Sequence, residues 1–224
     1  MVYARLGKDL VNSVFAWPWL RGFGKGGKVA QLFFDEVREM VSLQPPVCEF
    51  DEPAIDFSLP GVDGKSWSLQ ECLGENGLLV MFICNHCPYV QSIRDRIVRD
   101  TRELKVLGVN TVAIMSNDPT EYEEDSFENM KKVSDEFGFD FPYLIDETQQ
   151  VAKAYGAVCT PDFFGYNADL KLQYRGRLDE SRKEAADKNV RRDLFEGMKE
   201  VAETGRGPSE QIPSMGCSIK WKED

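Results

Sequence analysis

The chain has 224 residues, with 27 basic and 38 acidic side chains and a formal net charge of −11. At 42% hydrophobic and 29% charged it has a globular balance, and its acidity argues against nucleic acid as a partner, because neutralising phosphates needs a basic surface. Six cysteines are too sparse for a small disulfide scaffold, and one histidine cannot build a His-rich metal site.

Residues 1–28 hold five basic side chains and one acid, a net of +4 that leaves −15 on the remainder. With Phe15, Trp17, Trp19 and Phe23 they form a basic, aromatic leader. It lacks a convincing secretory cleavage site. It suits a structural arm, and membrane-surface contact, homodimer packing and organellar targeting stay open. The expected location is the cytoplasm. Gly22–Lys28 imitates a phosphate loop, but Val29 replaces the magnesium-binding hydroxyl and Pro18 spoils a preceding strand, so it reads as a linker. Val29, Leu32, Phe33, Val37, Met40 and Val41 then recur at helical spacing, predicting an amphipathic helix over 28–42. Residues 1–45 are thus an arm plus helix, and 46–224 the main domain.

In that domain Ile55–Leu59 alternates as a strand, 60–64 turns, and 65–67 returns. Leu78–Ile83 is a continuous apolar run, the pattern of a strand buried on both faces. A helix is expected over 88–107, with Pro88 in its first turn. Thr111–Met115 is a second buried strand. Asp118–Glu128 reads as a solvated acidic loop before a helix at 127–137. Tyr143–Ile145 is a short strand, 148–155 a short helix, and 163–166 with 170–175 a hairpin. A last helix covers 190–203. This order predicts an α/β three-layer sandwich around a central mixed sheet.

The chemistry centres on Cys84-Asn85-His86-Cys87, at the end of a buried strand and the start of a helix. The helix amides and dipole are expected to stabilise a thiolate at Cys84, and Cys87 can close a disulfide. His86 lies between the two sulfurs, where a cationic or donating imidazole would favour the thiolate and make the couple more oxidising. A zinc site would need two more ligands at suitable spacing, so no metal and no cofactor are expected. Cys159-Thr160-Pro161 is the second feature. A cis peptide before Pro161 would turn the Thr160 backbone outward, where it can pair with an extended substrate.

These residues resemble the thioredoxin superfamily. From about 52 to 222 the chain looks like the peroxiredoxin-like branch of the alkyl hydroperoxide reductase/thiol-specific antioxidant (AhpC/TSA) family. The strings that carry this are Phe82–Val90, Phe141–Gln149, Ala154–Ala157, Thr160–Phe164, Tyr174–Asp179 and Gly216–Trp221. The resemblance implies a thioredoxin-like fold with an N-terminal helical extension. Three departures stand out. Aligning Cys87 with a peroxidatic cysteine puts Cys84 at the family's Ser/Thr position and Val80 at its proline. Thr160-Pro161 also stands where a peroxide-polarising arginine is expected, so peroxidase activity should be weak or absent. Leu78 occupies the place of the buried acid found in many thioredoxins.

The expected function is thiol–disulfide oxidoreduction by Cys84 and Cys87. His86, Asn85 and Pro88 tune the pair, and Thr160 and Pro161 shape the substrate groove. Partners would be protein or small-molecule disulfides and thiols, with peroxides as a further substrate class. One alternative is a peroxidase with Cys87 peroxidatic and Cys84 resolving. Another is a non-catalytic binding or metallochaperone module. Cys159 and Cys217 are candidate accessory thiols, and Cys48 and Cys72 are expected to be structural.

Overall fold

Continuous apolar runs make the central strands, because only a strand covered on both faces can hide every side chain. In the computed structural model, which describes residues 42–182, 184, 187 and 189–223, the strands are β1 (Ser42–Leu43), β2 (Ser58–Pro60), β3 (Ser66–Ser68), β4 (Gly77–Phe82), β5 (Val109–Met115), β6 (Tyr143–Ile145), β7 (Cys159–Thr160), β8 (Asp162–Asn167), β9 (Leu172–Tyr174) and β10 (Gly216–Ser218). The helices are α1 (Leu69–Cys72), α2 (Pro88–Gln91), α3 (Arg94–Val106), α4 (Phe127–Phe137), α5 (Gln150–Tyr155) and α6 (Asp193–Thr204). They belong to one unit, Val41–Asp224. The leader, the glycine stretch and all but the last residue of the expected 28–42 helix lie outside the described residues; Ser42 starts β1.

The main sheet runs β6-β5-β4-β8-β9. β4, β5 and β6 are parallel, β8 runs antiparallel to β4, and β9 pairs antiparallel with β8 at the edge. Period-two alternation divides β4 between two cores. Leu79 and Met81 join Ile97 and Leu104 of α3 and Leu194, Met198 and Val201 of α6 on one face. Leu78, Val80 and Phe82 join Leu69 of α1 and Ala152 and Tyr155 of α5 on the other. The result is a three-layer sandwich with a central mixed sheet. A second sheet, β1-β10-β7, is antiparallel throughout.

The expected helix over 88–107 is interrupted. α2 stops at Gln91 and α3 starts at Arg94, with Ile93 at φ −117° and ψ 0°. Ser92 Oγ donates to the Tyr89 carbonyl at 3.0 Å, competing with regular helical pairing. The kink lets Ile93 turn into the core. α4 follows simpler rules: Ser126 caps its first turn by accepting from the Asn129 amide, and Gly138 ends it at φ +63°. Among the described residues no helix is long and apolar enough to cross a membrane.

Candidate active site

β4 delivers Cys84 two residues after its end, and Cys87 forms the N-cap of α2, with Pro88 at the first helical position. Both sulfurs meet Thr160. Cys84 Sγ is 3.1 Å from Thr160 Oγ1, and Cys87 Sγ is 3.1 Å from the Thr160 carbonyl, to which its S–H donates when protonated. The peptide between Thr160 and Pro161 is cis. Pro161 lines a shallow pocket with Tyr89, Ile93, Phe163, Leu178 and Ser214.

The helix start lies at Cys87, not at Cys84, and this reverses the expected electrostatics. Cys84 is 1% exposed. Burial pushes its thiol well up, aided by its contact with Cys87 and by the negative charge of Asp125. Cys87 is held well below the ordinary thiol range. The Cys217 and Cys84 thiols are the main cause, followed by the backbone amides of Cys217 and Val90, and together they outweigh burial.

The acidic segment is largely solvated, with Glu121, Glu123, Glu124 and Glu128 exposed, but one of its acids is not. Asp125, in the 3₁₀ turn Glu123–Asp125, is fully buried. Its Oδ1 accepts the amides of Asn85 at 2.7 Å and His86 at 3.1 Å. Its Oδ2 accepts His86 Nδ1 at 2.6 Å and Asn117 Nδ2 at 2.9 Å. Burial raises the Asp125 carboxyl, but the donors from His86 and Asn117 win, and it is held below its usual value. A buried carboxylate survives when its lone pairs are used in this way. Leu78 of β4 packs in the core, and the buried acid beside the motif, Asp125, comes from a different loop. No local pattern separates Asp125 from Glu121, Glu123 and Glu124, so sequence reasoning passed over it.

The remaining motif residues are pinned as tightly. Asn85 Nδ2 donates to the Glu124 carbonyl at 2.7 Å, and its Oδ1 accepts the Tyr143 hydroxyl at 3.1 Å. Arg94 and Gln91 donate to the Asn85 carbonyl at 2.6 and 2.9 Å. The His86 ring stacks on Tyr122 with centroids 3.9 Å apart. Cys84, His86 and Asp125 each bring one potential ligand atom within 4.8 Å of the others. Both Asp125 oxygens are already engaged, so a metal there would displace the bonds that hold the motif.

The other cysteines fall into two groups. Cys217 shares the apolar cluster of Cys84 and Cys87. Cys159 is fully buried, and its Sγ lies 3.6 Å from the Pro161 carbonyl. Cys72 packs on the opposite face of the sheet, with Cys48 at that cluster's edge. Burial lifts these last two thiols to about 12 and about 11. The expected open groove at Thr160 is filled. β10 pairs antiparallel with β7, placing Cys217 opposite Thr160, and Thr160 is 2% exposed. Gly216 permits this, because a Cβ at that position would collide with the Thr160 carbonyl.

A five-stranded mixed sheet between two helical layers, with a C-x-x-C turn facing a cis-proline strand, defines a thioredoxin-like protein. More particularly, the chain belongs to the AhpC/TSA family, whose model matches residues 50–178. An uncharacterized conserved protein from Geobacillus kaustophilus is 44% identical, with a TM-score of 0.78 over 83% of this chain and 98% of that one. A hypothetical protein from Sinorhizobium meliloti 1021 is 36% identical, with a TM-score of 0.76 over 81% of this chain and 99% of that one. The thiol-disulfide oxidoreductase ResA of Halalkalibacterium halodurans is 29% identical over 105 residues, 47% of this chain. The match spans 55% of that relative's length, about half.

Proposed function

We propose that the protein is a thiol–disulfide oxidoreductase whose working pair is Cys84 and Cys87. The observation that carries this is the convergence of both motif sulfurs on Thr160, each at 3.1 Å. Burial disfavours the thiolate at Cys84, and hydrogen bonds favour it at Cys87. For attack, Cys84 gives up its proton, which the departing partner thiolate takes up. The Cys84 thiolate then takes one sulfur of the partner disulfide, and the other leaves as a thiolate. Cys87, as the thiolate, attacks Cys84 Sγ and expels the second partner thiolate. Two electrons pass to the partner, and the protein keeps a Cys84–Cys87 disulfide. The likeness to ResA over half of that protein supports this reading.

The test is a titration of the reduced protein in glutathione buffers, followed by disulfide mapping, with an insulin-reduction assay in parallel. A Cys84–Cys87 disulfide that forms and returns reversibly is expected. Cycling that persists undiminished in Cys84→Ser would overturn the reading.

One observation favours a second reading, peroxide reduction: Cys87 stands at the N-cap of α2, where the helix end favours a thiolate. Cys87 would take one peroxide oxygen as a sulfenic acid and release an alcohol or water. Cys84 would then close the disulfide with loss of water. Peroxide consumption by the reduced protein, abolished in Cys87→Ser, distinguishes this activity.

A further inference from the structure

The C-terminal strand occupies the edge that an extended substrate would use. In an antiparallel pair, residues opposite each other project their side chains to the same face. β10 pairs Cys217 with Thr160 and Ser218 with Cys159. Cys217 therefore shares the face of Thr160, whose Oγ1 touches Cys84, while Cys159 is turned away. Cys217 packs in the same cluster as both motif cysteines, and the carbonyl of its strand partner Thr160 lies 3.1 Å from Cys87 Sγ. On the other side β1 pairs Ser42 with Cys217, and Ser42 Oγ lies 3.2 Å from the Tyr89 hydroxyl of α2. The strand is thus clamped with its thiol against the motif.

We propose that Cys217 is a third redox thiol, presented by the protein's own tail in the place of a substrate cysteine. This rests on the reading of Cys84 and Cys87 as a dithiol pair. Once their disulfide has formed, Cys217 attacks Cys87 Sγ. The Cys84–Cys87 bond breaks, a Cys87–Cys217 bond forms, and Cys84 leaves as a thiolate that takes up the proton lost by Cys217. No electrons enter or leave, so the step moves the oxidised bond and frees Cys84.

The charge distribution is compatible with this step. In the reduced site the Cys217 thiol is pushed up, first by donating to Cys87 and then by burial, while Lys220 pulls it down. Forming the Cys84–Cys87 disulfide removes the Cys87 thiolate and with it the first of these causes. Lys220 remains, and Cys217 becomes easier to ionise when its attack is required.

The experiment is oxidation of the full chain with diamide, followed by alkylation, non-reducing proteolysis and mass mapping. In Cys84→Ser, Cys87 and Cys217 should lose their free thiols together and appear as one intramolecular cross-linked peptide. Both remaining alkylatable in that variant would overturn the proposal. A second measurement does not depend on any variant folding. The natural chain, poised in a glutathione buffer, should contain both Cys84–Cys87 and Cys87–Cys217 species, and absence of the second overturns the relay. If the natural chain forms no Cys84–Cys87 disulfide, the underlying reading fails. If it forms that bond while Cys84→Ser forms no Cys87–Cys217 bond, the relay alone fails.

Discussion

Asp125 holds His86 twice, accepting its backbone amide at 3.1 Å and its ring Nδ1 at 2.6 Å. One carboxylate thus sets both the turn between the two motif cysteines and the orientation of the imidazole beside Cys84. Its negative charge also raises the Cys84 thiol.

Replacing this carboxylate should separate its two effects. Asp125→Asn loses charge-assisted bonds in a buried site and should cost about 1–3 kcal/mol in urea unfolding. Because a neighbouring anion is removed, the Cys84 thiol should ionise at lower pH, which iodoacetamide alkylation followed by peptide mapping reads directly. A purely structural role would loosen the fold without shifting the alkylation profile downward. In the natural protein the stability contributed by Asp125 is present above the unfolded carboxyl value and lost as pH falls through its depressed folded value.

Thr160 supplies two different contacts, and a substitution reaches one of them. Thr160→Val removes Oγ1 from Cys84 but keeps the carbonyl that faces Cys87. Losing one hydrogen bond of about 1 kcal/mol should slow disulfide exchange at Cys84 about fivefold. Stopped-flow exchange with a small aromatic disulfide measures this, and an unchanged rate would count against a role for the hydroxyl.

Arg175 and Asp162 form a buried pair at 3.1 Å, with the guanidinium 4.3 Å from the Phe164 ring centroid. Burial pushes Asp162 up to about 6 against the pull of Arg175. A raised carboxyl favours the fold in its protonated form. That contribution is complete below the unfolded value of about 4 and lost as pH rises through about 6. Arg175→Met leaves Asp162 without its counter-charge and should cost about 3–5 kcal/mol at pH 7. The deficit should shrink at pH 5, where Asp162 is protonated. Chemical unfolding at the two values tests the sign, and a deficit that grows on acidification contradicts it.

Gly216→Ala should force β10 away from the Thr160 carbonyl. The strain should cost about 1–3 kcal/mol. Moving the strand also withdraws Cys217 from Cys87, so the Cys87 thiol should ionise at higher pH. Thiolate absorbance against pH reads this, and an unmoved titration would show that the contact does not govern Cys87.

The layered architecture was legible because its causes are local. The apolar run of β4, the proline opening α2 and the order of strands and helices each follow from neighbouring residues. The C-x-x-C motif and Thr160-Pro161 were legible for the same reason, being contiguous strings. The break at Ser92–Ile93 was not, because helical periodicity continues across it.

The chain order alone pointed to the C-x-x-C motif and to the layers that enclose it. Folding decided the surroundings of each sulfur. The helix start falls at Cys87, Asp125 crosses from a distant loop to face Cys84, and β10 brings Cys217 against Cys87. A thiol's ionisation depends on burial, hydrogen bonds and nearby charges within a few ångströms. In this protein those neighbours come from segments 39 positions away in the case of Asp125 and His86, and from the C-terminal strand in the case of Cys217. Only the closed sheet and its tail bring them together.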